Sequence, residues 1–173
     1  MNDITELPLT DSDLDQLPPL LQSGFDIEVE TGGTVRDLLR SQWGIPEEVV
    51  ESRISTIFLN GKPVDDLDAT IVRDGATLAL SGAMPGLVGA TMRRGGVIAG
   101  FRSGITHRES GCGDACGKGL LHVKIFNLLI PELMPLFLSR GILLPSERLP
   151  ASIRGRLSGD PAPDRVRLTA PAA

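Results

Sequence analysis

Phe25-Asp26-Ile27-Glu28-Val29-Glu30-Thr31-Gly32-Gly33-Thr34 is the stretch on which the fold of this chain turns. An apolar residue followed by an acid occurs three times in a row. In an extended chain that pattern sends apolar and acidic side chains to opposite faces, as in a half-buried strand. Thr31-Gly32-Gly33 supplies turn residues, and Thr34 is a helix N-cap whose hydroxyl can accept a free N–H of the first turn. Asp37, three residues on, completes a variant of the capping box. Val35, Leu38, Leu39 and Trp43 fall on one helical face, Gly44 stops the helix, and Pro46 lies just beyond.

Working toward the C-terminus, residues 46–51 predict a second short helical turn. Thr56-Ile57-Phe58-Leu59 reads as a strand, and Asn60-Gly61 as a hairpin turn, because both residues tolerate positive φ. Lys62-Pro63-Val64 resumes the chain at a sheet edge, since Pro63 has no N–H to give to a ladder. Arg73-Asp74-Gly75 is another turn, and residues 77–80 alternate again as a last strand. A helix laid across a small mixed sheet would bury the apolar face of each element.

Three runs, Thr34–Leu39, Ile57–Val64 and Val72–Leu80, in this order and spacing resemble the ubiquitin-like sulfur carriers of molybdopterin and thiamine synthesis. The resemblance implies an α+β chain with a β-grasp domain at residues 25–86, followed by a helical C-terminal extension. Family members begin with a further strand. Residues 1–24 hold scattered Leu and Pro among five acids and read instead as an acidic arm, partly docked through Leu20 and Leu21.

Sulfur carriers end in a bare Gly-Gly whose terminal carboxylate is adenylated and then converted to a thiocarboxylate. Here the corresponding place is Ala83-Met84-Pro85-Gly86-Leu87 and the chain runs on, so carrier chemistry does not transfer as written. A second pair stands in Arg93-Arg94-Gly95-Gly96, and cleavage after Gly96 would create a carrier-like end. The other reading of Gly95 and Gly96 is a glycine-rich connection. Met84, Leu87, Val88, Met92 and Phe101 beside Arg93 and Arg94 mix apolar and basic side chains in the way an interaction surface does.

Residues 87–119 form this glycine-rich connection, and the chemistry-bearing residues lie in it or just after it. His107, Cys112, Cys116 and His122 are four potential zinc ligands in sixteen residues. The same thiols could form a redox pair, could hold an iron–sulfur cluster together with a second subunit, or could belong to a plain loop. Residues 120–145 carry apolar positions at 121, 125, 128, 129, 133, 136 and 137, a helical stripe that Pro131 and Pro135 would kink or split. Residues 146–173, rich in Pro, Arg, Ala, Ser and Gly, predict a disordered tail.

Composition narrows the function. Aromatic residues make up 3% of the chain and Tyr is absent, which leaves few stacking platforms for nucleic acid. No apolar run reaches the ~18 residues of a membrane span, the start lacks a signal-peptide pattern, and the cytoplasm is the default location. No serine–histidine or paired-carboxylate constellation stands out, so catalysis is not expected. The sequence points to a non-catalytic accessory or interaction module that binds another protein, such as an adenylating enzyme or an oxidoreductase subunit. The rival readings are a carrier released at Gly96 and a metal- or thiol-redox protein.

Overall fold

The computed structural model describes residues 4–84, 86–96, 116–157 and 163–171. From the N-terminus, β1 (Ile4–Pro8) leads into two short helices, α1 (Asp11–Leu14) and α2 (Pro18–Ser23). The alternating stretch is β2 (Phe25–Thr31). Thr34 caps the next helix as its side chain predicts: its Oγ1 accepts from Asp37 N at 3.1 Å and donates to Asp37 Oδ2 at 2.9 Å. That helix, α3 (Val35–Asp37), widens into a π-helical turn, Leu38–Gln42, closed by Trp43 N donating to Leu38 O at 2.9 Å. The wider turn carries Trp43 into the core, edge-on to Phe137 with ring centroids 4.8 Å apart.

Helix α4 (Glu47–Ser52) follows, then the hairpin of β3 (Thr56–Leu59) and β4 (Lys62–Pro63), and then β5 (Thr77–Ser81). Asn60 and Gly61 both take positive φ, 51° and 77°, as the turn requires. The remaining elements are α5 (Gly86–Met92), β6 (Gly117–Phe126), α6 (Leu129–Arg140), β7 (Ile142–Pro145), α7 (Ala151–Arg154) and β8 (Arg165–Thr169).

All eight strands form one mixed sheet in the order β1-β8-β7-β2-β6-β5-β3-β4, so the chain is α+β. Strand β6 runs antiparallel to the whole of β2 and parallel to β5. One sheet face carries Ile27, Val29, Ile57, Leu78, Leu80, Leu121, Val123, Ile125, Val166 and Leu168. Helices α2, α3, α4, α6 and α7 close over it with Leu21, Val35, Leu39, Val50, Phe137 and Ile153. Burying each such aliphatic side chain is worth roughly 1.5–3 kcal/mol against leaving it in water, and this is what holds the two layers together. Among the described residues the opposite face carries no helical layer of this kind.

Four sequence expectations are corrected. Residues 120–126 are strand rather than helix. Leu121 and Ile125 fit the helical stripe, but with Val123 between them they also fit a period of two, and the β-branched Val123 and Ile125 beside β2 and β5 decide for the strand. Helix α6 is continuous past Pro135, and Pro131 sits in its first turn, where a backbone N–H has no intrahelical partner. The expected disordered tail holds α7 and β8. Its alternation of Arg165 and Arg167 with Val166 and Leu168 is a strand pattern that composition conceals. The N-terminal arm is likewise ordered, with β1 parallel to β8 and Leu17, Leu20 and Leu21 buried.

Candidate interaction surface

Strand phase decides what stands on the open sheet face. Opposite partners across the ladders share a face, which gives Glu6, Arg165, Arg167, Leu143, Asp26 and Glu28 on the β1-β8-β7-β2 side. Here the charges satisfy one another. Arg167 donates to Glu28 at 2.9 Å and stands 3.9 Å from Glu6. Asp26 accepts from Arg165 on one oxygen and meets His122 Nδ1 at 2.7 Å on the other. The two arginines reach from β8 to β2 across β7, so their aliphatic stems lie over Leu143 and account for its burial on this face. The His122 ring rests on Gly24: a Cβ built there would stand 2.2 Å from His122 Nε2.

The β6-β5-β3 side is different. Its open face carries Lys124 and Phe126 from β6, Ala79 and Ser81 from β5, and Phe58 from β3. Phe58, Ala79, Ser81, Met84, Phe126 and Asn127 line a recess of about 360 Å³. Exposed large apolar residues are rare among the described residues, and three follow directly on this wall in the chain. Leu128, next to Asn127, is 77% exposed, and Leu87 and Val88, just after Met84, are 76% and 66% exposed. A second recess of about 350 Å³ shares Met84 and is otherwise lined by Ser55, Thr56, Ala83, Gly89, Ala90, Arg93 and Gly96. Thr56 Oγ1 is buried there without a hydrogen-bond partner.

The residues anticipated from sequence are only partly brought together. Met84 lines both recesses, Leu87 and Val88 are exposed at the start of α5, Met92 is half-buried in α5, and Arg93 is exposed and lines the second recess. Arg94 is not a surface residue. Its side chain is 10% exposed, donating to Val50 O at 2.6 Å and Ile54 O at 3.4 Å with Glu51 at 3.4 Å, while its own N–H meets Ser55 O at 2.8 Å. It thereby satisfies carbonyls at the C-terminal end of α4, where a cation is favoured. Burial pushes the Glu51 carboxyl up, but the Arg94 and Arg36 guanidiniums outweigh it and hold it below the usual carboxylate value. Gly95 is exposed at a φ of +64°, and Gly96 N donates to Arg93 O at 3.2 Å in a local turn just after α5.

Of the four potential metal ligands, Cys116 and His122 are among the described residues, and they stand apart. Cys116 is exposed just before β6, and His122 sits six residues along, paired with Asp26. At ~3.3 Å per residue the strand separates them by roughly 20 Å, whereas zinc ligands lie ~2.0–2.3 Å from the ion. His107, Cys112 and Phe101 lie outside the described residues. Among the described residues no group of three His, Cys, Asp or Glu side chains converges on a point that would hold a metal ion.

Sequence reasoning missed Phe58, Ala79, Lys124 and Phe126 as site residues. The phase of Thr77-Leu78-Ala79-Leu80 carried the signal for Ala79. The helical reading of residues 120–126 hid it for Lys124 and Phe126.

The class thus defined is an α+β protein whose single mixed sheet is covered by helices on one face and divided on the other into a charge-paired half and an apolar half. Comparison with protein-family models, with curated proteins and with solved structures returns no match. Among the described residues no helix is long and apolar enough to cross a membrane.

Proposed function

We propose that this chain is a non-catalytic interaction module that docks another protein on the apolar half of its open sheet face. The observation that carries the proposal is the unfilled Phe58–Ala79–Phe126 recess, with the exposed Leu128 next in the chain to its wall residue Asn127 and the exposed Leu87 and Val88 a few residues after its wall residue Met84. Exposed apolar patches mark interaction sites, whereas single exposed hydrophobes do not. We further infer that β2, β6, β5, β3 and β4 form a rearranged β-grasp sheet. The support is positional: a strand preceding β2 in a hairpin would run antiparallel to it, and β6 occupies that position from later in the chain.

The test is affinity capture from the native host with the full chain and with the double variant Leu87→Asp/Leu128→Asp, followed by mass spectrometry. A partner retained by the parent and lost by the variant supports docking at this face. An adenylating enzyme among such partners favours kinship with carriers, and an oxidoreductase subunit favours an accessory role. Identical captures by both proteins would refute the proposal. A native species ending at Gly96, read as an intact mass, would move the reading to a processed carrier.

A further inference from the structure

The apolar recess has a shape that its own side chains leave unfilled. Phe58 stands on β3 and Phe126 on β6, with β5 between them. In register Phe58 stands opposite Ala79 and Phe126 opposite Ser81, so the two face each other diagonally, with two strand spacings across and two residues along setting their backbones roughly 11–12 Å apart. The floor is made by Ala79 and Ser81, side chains too short to fill that gap. Met84 and Asn127 complete the wall, with Asn127 Nδ2 3.4 Å from Ser81 Oγ. At about 360 Å³ the recess sits at the low end of the ~300–1,000 Å³ range of ligand pockets, a size suited to one large side chain.

Charge adds a second constraint. Lys124 lies directly opposite Ala79 on the same face and makes no ion pair among the described residues. The open face of β3, β5 and β6 bears no acid at all: its residues are Thr56, Phe58, Thr77, Ala79, Ser81, Lys118, Leu120, His122, Lys124 and Phe126. The rim of the recess is therefore positive and complementary to a carboxylate, while Asp26 and Glu28 of β2 are occupied by Arg165, Arg167 and His122 and Glu30 stands further along, across from Lys118.

We propose that this recess is the anchor pocket for an aromatic side chain of a partner protein that carries an acidic residue beside it in sequence. The ring enters over Ala79 between Phe58 and Phe126, where edge-to-face and offset ring pairs are favourable, and meets the thioether of Met84. The neighbouring carboxylate meets Lys124. Aromatic anchors in desolvated pockets carry most of the energy of many interfaces, with a charged rim setting orientation. This inference rests on the proposed docking at the same face and adds the chemistry of what enters.

The full chain with ¹³C-labelled Met and Ala methyls is titrated with three capped dipeptide amides: acetyl-Phe-Asp, acetyl-Phe-Lys and acetyl-Ala-Asp. The expected result is saturable shifts of the Met84 and Ala79 methyls with Phe-Asp, binding about threefold weaker with Phe-Lys, and no saturation with Ala-Asp. Lys124→Glu should invert the order of Phe-Asp and Phe-Lys. Ala79→Leu should fill the floor and abolish the effect. Met84→Ala, which leaves the sheet untouched, should weaken it, and the remaining methyl signals report that each variant is folded. Absence of saturation with every dipeptide, or equal response to Phe-Asp and Ala-Asp, overturns the proposal. If the dipeptides fail while Leu87→Asp/Leu128→Asp still loses its captured partner, the docking face stands and the aromatic anchor falls. If that variant keeps all its partners, both fall.

Discussion

The two halves of the open sheet face are built from the same alternating strands but end in different states. On the β1-β8-β7-β2 side, Asp26, Glu28 and Glu6 each face an arginine of β8, and the arginine stems cover the apolar residue beneath them. On the β6-β5-β3 side, the residues at equivalent phases are Phe, Ala, Ser and a lysine without an ion pair among the described residues, and a recess is left open. Antiparallel sheets commonly leave one face to water, and a charged lattice is a stable way to do so. An apolar half beside it gains nothing in isolation. Its exposed Leu87, Val88 and Leu128 are the apolar surface on which the proposed docking rests.

That difference should separate stability from binding under mutation. The largest effect expected is on binding: Leu87→Asp/Leu128→Asp should weaken partner capture at least tenfold, the loss of a contact worth ~1.4 kcal/mol or more. Its melting temperature should hold, because exposed substitutions usually stay within about 0.5 kcal/mol. The paired half should behave the opposite way. Gly24→Ala would force a Cβ into the His122 ring at a φ of +108°, where a side chain is strained, and should cost about 2 kcal/mol in denaturant unfolding without altering partner capture. Asp26→Ala would leave Arg165 and His122 facing each other with their shared acceptor removed. These groups are partly solvated, so about 1 kcal/mol is expected rather than the cost of a buried pair. A stability loss in the Leu87/Leu128 variant equal to that of Gly24→Ala would erase the distinction between the halves.

Much of this division was legible in the sequence, and what was missed has a physical cause. Local chemistry fixed the elements of residues 25–81: Thr34 with Asp37, Asn60 with Gly61 and the phase of β2 each act within a few residues. Strand β6 could not be read in the same way. Leu121, Val123 and Ile125 acquire their meaning only from β2 and β5 on either side, one of them more than 90 residues away in the chain. The tail strand β8 was hidden for the same reason. Arg165 and Arg167 look like solvated charges until Asp26 and Glu28 stand across β7 from them. Of the thiol–imidazole cluster, Cys116 and His122 are close in sequence but distant in space, because the chain between them is extended.

The smallest effect expected concerns pH, and it probes the tie between the two chain ends beside the paired half. Asp13 in α1 is buried and accepts from Arg156, beyond α7, at 2.6 Å, and from Thr10 N and Oγ1, each at 2.7 Å. Burial pushes its carboxyl up, but the Thr10 hydrogen bonds and the Arg156 guanidinium outweigh burial and hold it below the usual carboxylate value. A carboxyl whose folded value is depressed binds its proton more readily in the unfolded chain, so it adds stability at pH above its ordinary value near 4. That contribution drains away as pH falls through the depressed folded value. Glu51, also held low, acts in the same direction from the far end of the sheet. Thermal unfolding between pH 6 and pH 3 should therefore show a declining melting temperature in the parent. Arg156→Ala removes one of the groups that depress Asp13 and should shallow the slope, while Lys124→Ala, in the apolar half, should leave it unchanged. An unaltered slope in Arg156→Ala would show that the Asp13–Arg156 contact does not hold the N-terminal arm to the tail.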